Sequence, residues 1–375
     1  MSPKYFIETL RNNNIDFFAG VPDSLLKSIC AYIQDNTPAE NNIITANEGA
    51  AIGLGAGYYL ATGKIPVIYM QNSGLGNIVN PLTSLIDKEV YNIPMLLLIG
   101  WRGEPGVKDE PQHIKQGRIT IPLLDTLEIK NEILTKDDDA FPEQLSRVLS
   151  YINLTKEAYA LIVQKDTFEN YSLREKVKSI DYTMNRENAI SIILDNINDN
   201  DVVVSTTGMT SRELFEQREK RNQGHDKDFL TVGSMGHASQ IALGIAISKK
   251  YKKIYCFDGD GAALMHMGSL PVIGSLAPQN YIHILFNNGA HDSVGGQPTV
   301  GFTTDFCKIV LSSGYKKAYS VETEDSLKST LNEIRNLQGP IFIEIKVQKG
   351  ARKDLGRPTR TPLQNKEALM KFLNE

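Results

Sequence analysis

Two short stretches in the second half of this 375-residue chain bring together atoms suited to a small, hard cation. The apolar run Lys253–Phe257 leads into Asp258-Gly259-Asp260-Gly261, and the apolar run Ile282–Phe286 leads into Asn287-Asn288-Gly289-Ala290. A helix-length segment lies between them, so the runs read as neighbouring strands whose loops meet at their carboxyl ends. The Asp260 carboxylate and an Asn carbonyl brought together there make an all-oxygen site suited to Mg²⁺ shared with a phosphate. Gly259 and Gly261 let backbone N–H groups approach that phosphate. In the first half a third polar residue stands out: Glu48 opens the small and apolar segment Gly49–Gly63, which reads as a helix. A carboxylate in that position either pairs with the helix N-terminus or is functional.

The elements that must hold these residues alternate between short apolar runs and helix-period segments. Phe17–Gly20, Ile43–Ile44, Ile65–Met70, Met95–Gly100 and Tyr159–Val163 read as buried strands of the first half. A polar stretch, Gln164–Tyr182, interrupts the pattern. Strands Val202–Ser205, Phe229–Val232, Ile254–Phe257, Tyr281–Phe286 and Ile341–Val347 then alternate with helices, and a basic strandless segment, Gly350–Arg360, precedes a last short helix. Alternation of this kind predicts an α/β fold of two domains, each a largely parallel sheet with helices on both faces. The expected boundaries are 1–165, a linker at 166–183, and 184–375. Ligands of such sheets bind at the carboxyl ends of the strands. Gly53-Leu54-Gly55-Ala56-Gly57 looks like part of a dinucleotide fingerprint, but its glycines fall inside a helix, where close packing explains them.

Composition excludes several classes. Forty Lys and Arg against 44 Asp and Glu give a net charge of −4, without the basic stripe of a nucleic-acid binder. Mean hydropathy is −0.25 and no apolar run nears the ~20 residues of a membrane span. Cys30, Cys256 and Cys307 form neither a disulfide framework nor a zinc spacing. The expectation is a cytoplasmic protein with no nucleic-acid or membrane partner.

GDG followed, after one helix, by NN resembles the diphosphate-binding motif of thiamine-diphosphate enzymes. Glu48, ahead of the string Gly57-Tyr58-Tyr59-Leu60-Ala61-Thr62-Gly63, is similar to the acid that meets the cofactor's aminopyrimidine in that family. The resemblance implies thiamine diphosphate and Mg²⁺ as cofactors, the metal being held by Asp260, Asn288 and the main-chain carbonyl of Ala290. Glu48, Gly74, Gly233, Ser234, Met235, Gly236, His237, Gly259, Asp260, Gly261, Ala262 and Asn288 would contact the cofactor. The usual third domain between pyrimidine-binding and pyrophosphate-binding halves has no room in 375 residues. That compact form, with the strings Gly20–Leu26, Gln71–Asn77, Trp101–Gly106, Asp109–His113, Thr206–Leu214 and Asn288–Thr299, resembles the phosphonopyruvate and sulfopyruvate decarboxylases.

The implied reaction is non-oxidative decarboxylation of 3-phosphonopyruvate to phosphonoacetaldehyde and CO₂ through the thiamine diphosphate ylide, in 2-aminoethylphosphonate biosynthesis. Sulfopyruvate decarboxylase, or another 2-oxo acid decarboxylase or carboligase, is the alternative. Glu48, His291 and Asp23 are the catalytic candidates, with His291 the general-acid candidate. Asp23, Ser24, Asn72, Ser73, Arg102 and His113 are the substrate candidates. A silent cofactor-binding subunit would have no need of Glu48 beside an intact Asp260 and Asn288. The family's assembly implies a homodimer or dimer of dimers with active sites between subunits, acting on a small 2-oxo acid.

Overall fold

Apolar residues run almost unbroken along the expected strands because both faces of each sheet are covered. The computed structural model describes residues 1–174 and 182–375. Its first six strands are β1 (Phe18–Gly20), β2 (Asn42–Ile44), β3 (Val67–Gln71), β4 (Leu96–Gly100), β5 (Lys130–Ile133) and β6 (Tyr159–Val163). They form a sheet of order β2-β1-β3-β4-β6-β5 in which every pair is parallel. Side chains alternate between two cores: Val67, Tyr69, Leu96 and Leu98 face one, Ile68, Met70, Leu97 and Ile99 the other. Helices Pro3–Asn12, Lys27–Asn36 and Phe141–Thr155 cover the first face, and Glu48–Thr62, Leu75–Pro81 and Pro111–Thr126 the second.

The second set is β7 (Val202–Ser205), β8 (Asp228–Leu230), β9 (Ile254–Gly259), β10 (Tyr281–Asn287), β11 (Lys317–Val321) and β12 (Ile341–Lys346). Its order is β11-β12-β10-β9-β7-β8, again wholly parallel. Counted from the first strand of each set, this is the same topology as the first sheet, so the two halves share a plan that their sequences do not display. The strand order reverses at β1/β3 and at β7/β9, the positions at which sheets of this kind bind ligands. The two units divide as Met1–Lys176 and Val177–Glu375. Among the described residues no helix is long and apolar enough to cross a membrane.

Two edge strands, β5 and β11, are additions to the elements expected from sequence. Lys-Asn-Glu-Ile and Lys-Ala-Tyr-Ser-Val sit at sheet edges, half exposed, and so lack the apolar run that marks a central strand. Residues 175–181 of the expected linker lie outside the described residues. Its earlier part is docked on the first unit: the Met1 ammonium donates to the Thr167 carbonyl at 2.9 Å, Phe168 packs edge-on against Phe6, and the Tyr171 hydroxyl donates to Asp35 at 3.1 Å.

Close approach of neighbouring strands fixes one residue type. Gly20 pairs in register with Tyr69, and a Cβ there would lie 1.9 Å from the Tyr69 carbonyl oxygen. Gly20→Ala therefore forces β1 and β3 apart, and overpacking of this kind should cost about 2–3 kcal/mol, read as a lower urea midpoint.

Candidate active site

Each candidate side chain follows a parallel strand. In the first unit, Glu48 follows β2 at the start of its helix, where the Asn47 side chain caps by accepting from the Ala50 N–H at 2.9 Å. Glu48 is only 5% exposed. Its Oε2 accepts from Asn77 Nδ2 at 2.6 Å, while a Cβ on residue 74 would stand 2.5 Å from Oε1. Glycine at 74 is thus what admits the carboxylate.

Asp23, in the loop after β1, is wholly buried. Its Oδ1 accepts from Gln71 Nε2 at 2.5 Å and its Oδ2 from the Leu25 N–H at 3.0 Å. Burial raises its pKa above the usual carboxylate value, opposed by these donors and by Arg102. A Cβ at Gly100 would lie 2.1 Å from Asp23 Oδ2, so the end of β4 must be glycine for the acid to fit. Ser73 continues the chain of bonds, donating to Gln71 Oε1 at 2.7 Å.

The other expected substrate residues are engaged within the protein. Arg102 Nε and Nη2 grip Asp109 at 2.8 and 2.5 Å, and Nη1 donates to Ser24 Oγ at 2.7 Å. The Arg102 charge is thus paired with Asp109 within the same loop. Burial and the Arg102 charge push His113 down to about 4, so it is neutral near pH 7. Asn72 is fully buried; its Nδ2 donates to the Arg102 carbonyl at 2.7 Å and Thr120 Oγ1 at 2.9 Å, and its Oδ1 accepts from the Arg102 N–H at 3.2 Å. Its amide ties the loops after β3 and β4 together.

In the second unit, Gly259 ends β9 and Asp260 begins the next helix. Asp258, just before, accepts from the Gly259 N–H at 3.0 Å and stands 3.5 Å from His283 Nε2. Asp260 is 2% exposed, accepts a short hydrogen bond from the Thr299 hydroxyl and further bonds from backbone N–H groups of its own turn and of Asn288, and has no cationic partner among the described residues. Burial pushes it up to about 6. A Cβ on Gly301 would lie 2.5 Å from Asp260 Oδ2 and 2.6 Å from Asn287 Oδ1, so a side chain there would fill the cradle. Asn287 is pinned through Nδ2 to the Gly301 carbonyl at 2.9 Å and Glu344 Oε1 at 2.7 Å. Asn288 Oδ1 accepts from the Ala290 N–H at 3.0 Å, and Ala290 bridges to Pro298 across the loop. A buried acid without a counter-charge beside an amide oxygen is a donor set that fits Mg²⁺.

Against the Asp260 helix lies the loop Thr231–Ala238. Ser234 and Gly236 have φ of 53° and 85°, and a Cβ on Gly236 would meet Ala262 O at 2.9 Å and His266 at 2.6 Å. Gly233 and Met235 are half-buried in that loop, and the exposed His237 ring stands 4.4 Å from that of His266. His291 packs on Gly261, whose Cβ would lie 3.0 Å from its Cε1. Burial pushes His291 down to about 4, so at neutral pH its ring is uncharged.

Sequence reasoning missed the side chains that hold the key residues: Gln71 on Asp23, Asn77 on Glu48, Thr299 on Asp260, and Asp292 on Asn288. All lie in the Gly/Asn/Ser-rich strings quoted above, but nothing in their types says which atom each one bonds.

The N-terminal TPP binding domain of thiamine pyrophosphate enzymes matches residues 3–124, and the C-terminal TPP binding domain matches 204–345. The chain is 32% identical over 358 residues to the phosphonopyruvate decarboxylase of Streptomyces viridochromogenes, covering 92% of this chain and 88% of that one. It is 31% identical over 380 residues to that of Streptomyces hygroscopicus, covering 95% and 90%. Identity to the sulfopyruvate decarboxylase of Methanosarcina acetivorans is 26% over 366 residues, covering 92% and 90%. The chain belongs to the thiamine pyrophosphate enzymes and, among them, to the family of the phosphonopyruvate decarboxylases.

Asp260 generates a pH prediction. Its folded value of about 6 lies above the ordinary 3.8, so the folded chain holds this proton more tightly than the unfolded one. The resulting stability is fully present below about pH 4 and is lost as pH rises through about 6, amounting to at most about 3 kcal/mol. Urea unfolding in chelator across this range should show the loss in the native chain and not in Asp260→Asn; identical pH slopes would refute the assignment.

Proposed function

We propose that the chain decarboxylates 3-phosphonopyruvate to phosphonoacetaldehyde and CO₂, using thiamine diphosphate and Mg²⁺. The observation that carries this reading is the match of nearly the whole chain to two phosphonopyruvate decarboxylases at 31–32% identity, against 26% for sulfopyruvate decarboxylase. Support from geometry comes from the buried acids, Glu48 in one unit and Asp260 in the other.

Thiamine diphosphate, when bound, supplies a nucleophilic carbon and the electron sink that loss of CO₂ requires. Glu48, held by Asn77, would keep a proton at N1′ of the aminopyrimidine. Asp260 and Asn288 Oδ1, with the Ala290 carbonyl, would hold Mg²⁺, and the Gly233–His237 loop and the Gly259–Ala262 turn would enclose the diphosphate. Asp23 and His291 are the candidate proton carriers to product, and His291, uncharged near neutral pH, would donate from a neutral ring N–H. Ser24 and Ser73 offer hydroxyls to the substrate's anionic groups.

The same reading has the chain work in the cytoplasm as a homodimer or dimer of dimers, with the pyrimidine-binding half of one copy serving the diphosphate-binding half of another. Aldehyde release from phosphonopyruvate, sulfopyruvate and pyruvate, each with thiamine diphosphate and Mg²⁺, tests the substrate. Phosphonopyruvate should be turned over at least tenfold faster than the others, and equal rates or a preference for sulfopyruvate would overturn the assignment. In that assay a mixture of Glu48→Gln and Asp260→Ala chains should regain activity that neither has alone; no recovery would contradict sites formed between copies.

A further inference from the structure

We propose that Asp292 is a positioning residue that sets which end of the Asn288 amide faces the metal. The inference rests on the reading that Asn288 Oδ1 holds Mg²⁺. The two ends of an Asn amide are nearly the same shape, and only hydrogen-bond partners distinguish them. Asn288 Nδ2 donates to Asp292 Oδ2 at 2.5 Å. A carboxylate only accepts, so the nitrogen end must face Asp292 and the oxygen end is directed away from it, toward the loop backbone, where Oδ1 now accepts from the Ala290 N–H.

Asp292 is itself fixed from two further sides. The Gly350 N–H, just past β12, donates to the same Oδ2 at 2.9 Å, and Arg186 Nη1 lies 3.7 Å away. Arg186 is held in turn by a bidentate pair with Glu213 at 2.7 and 3.0 Å. The side chains of Arg186, Asp292 and Glu213 are 7%, 9% and 3% exposed. Two buried carboxylates facing one guanidinium leave the cluster with an excess negative charge, which favours a cation nearby as well as fixing the amide. The start of the basic segment 350–360 thus reaches the candidate metal site through a backbone N–H and not through a basic side chain.

Replacing Asp292 with Ala removes the acceptor that fixes the nitrogen end, so the Asn288 amide is free to turn over. Calorimetric titration of Mg²⁺ in the presence of thiamine diphosphate should show at least tenfold weaker metal binding in Asp292→Ala, with the fold checked by circular dichroism. The discriminating arm is a double-mutant cycle: in an Asn288→Ala background, Asp292→Ala should weaken Mg²⁺ binding no further. A purely structural role would give the same weakening in both backgrounds and overturn the proposal, as would unchanged binding in Asp292→Ala. Asp292→Leu serves if the Ala variant does not fold, since it too offers no acceptor. Asp260→Ala separates the underlying reading: if it too binds Mg²⁺ normally, the metal site itself is wrong; if it alone loses binding, only the role of Asp292 fails.

Discussion

Burial of an acid at the carboxyl edge of a parallel sheet is the constraint on which both units depend. A carboxylate out of water is costly unless donors or a cation compensate it. Glu48 is met by the Asn77 amide, Asp23 by Gln71 and the Leu25 N–H, and Asp260 by the Thr299 hydroxyl and backbone N–H groups of its own turn and of Asn288. Asp260, without a cationic partner among the described residues, is the one with Asn287 Oδ1 facing the same cradle. Glycine at 74, 100 and 301 makes room for the three acids, since a Cβ at any of these positions would lie within 2.5 Å of a carboxylate oxygen.

The common topology of the two sheets explains why chemistry gathers at corresponding loops. The loop after β3 carries Gln71 to Ser73 and its counterpart after β9 carries Asp258 to Gly261; the loop after β2 carries Glu48 and its counterpart after β8 the Gly233–His237 turn. In the proposed function, one unit supplies an acid for the aromatic end of the cofactor and the other supplies oxygens and glycines for its anionic end. The shared topology does not show in the sequence, because a parallel sheet needs only apolar strands in the right order.

How much of this could be read from sequence follows from where the constraint acts. Central strands such as β3, β4, β9 and β10 were legible because burial on both faces leaves continuous apolar runs, whereas the edge strands β5 and β11 carry lysines and serine and were missed. Glu48, Asp260 and Asn288 were legible because a polar side chain directly after an apolar strand, or opening an apolar helix, has few structural reasons to be there. Partners chosen by three-dimensional proximity were not: Asn77 lies 29 residues from Glu48 and Thr299 lies 39 from Asp260. Arg102 shows the same limit in another form. A loop arginine suggests an anion anchor, but Asp109, seven residues on, already holds it.

The central claim is that Glu48 acts on the cofactor's chemistry and not merely on its binding. It is tested most directly by hydrogen–deuterium exchange at C2 of bound thiamine diphosphate, followed by NMR after acid quench, in the native chain and in Glu48→Gln. The account predicts retained cofactor binding with exchange at least about 100-fold slower in the variant, as expected for loss of a positioned acid–base group. Equal exchange rates in the two proteins would contradict it.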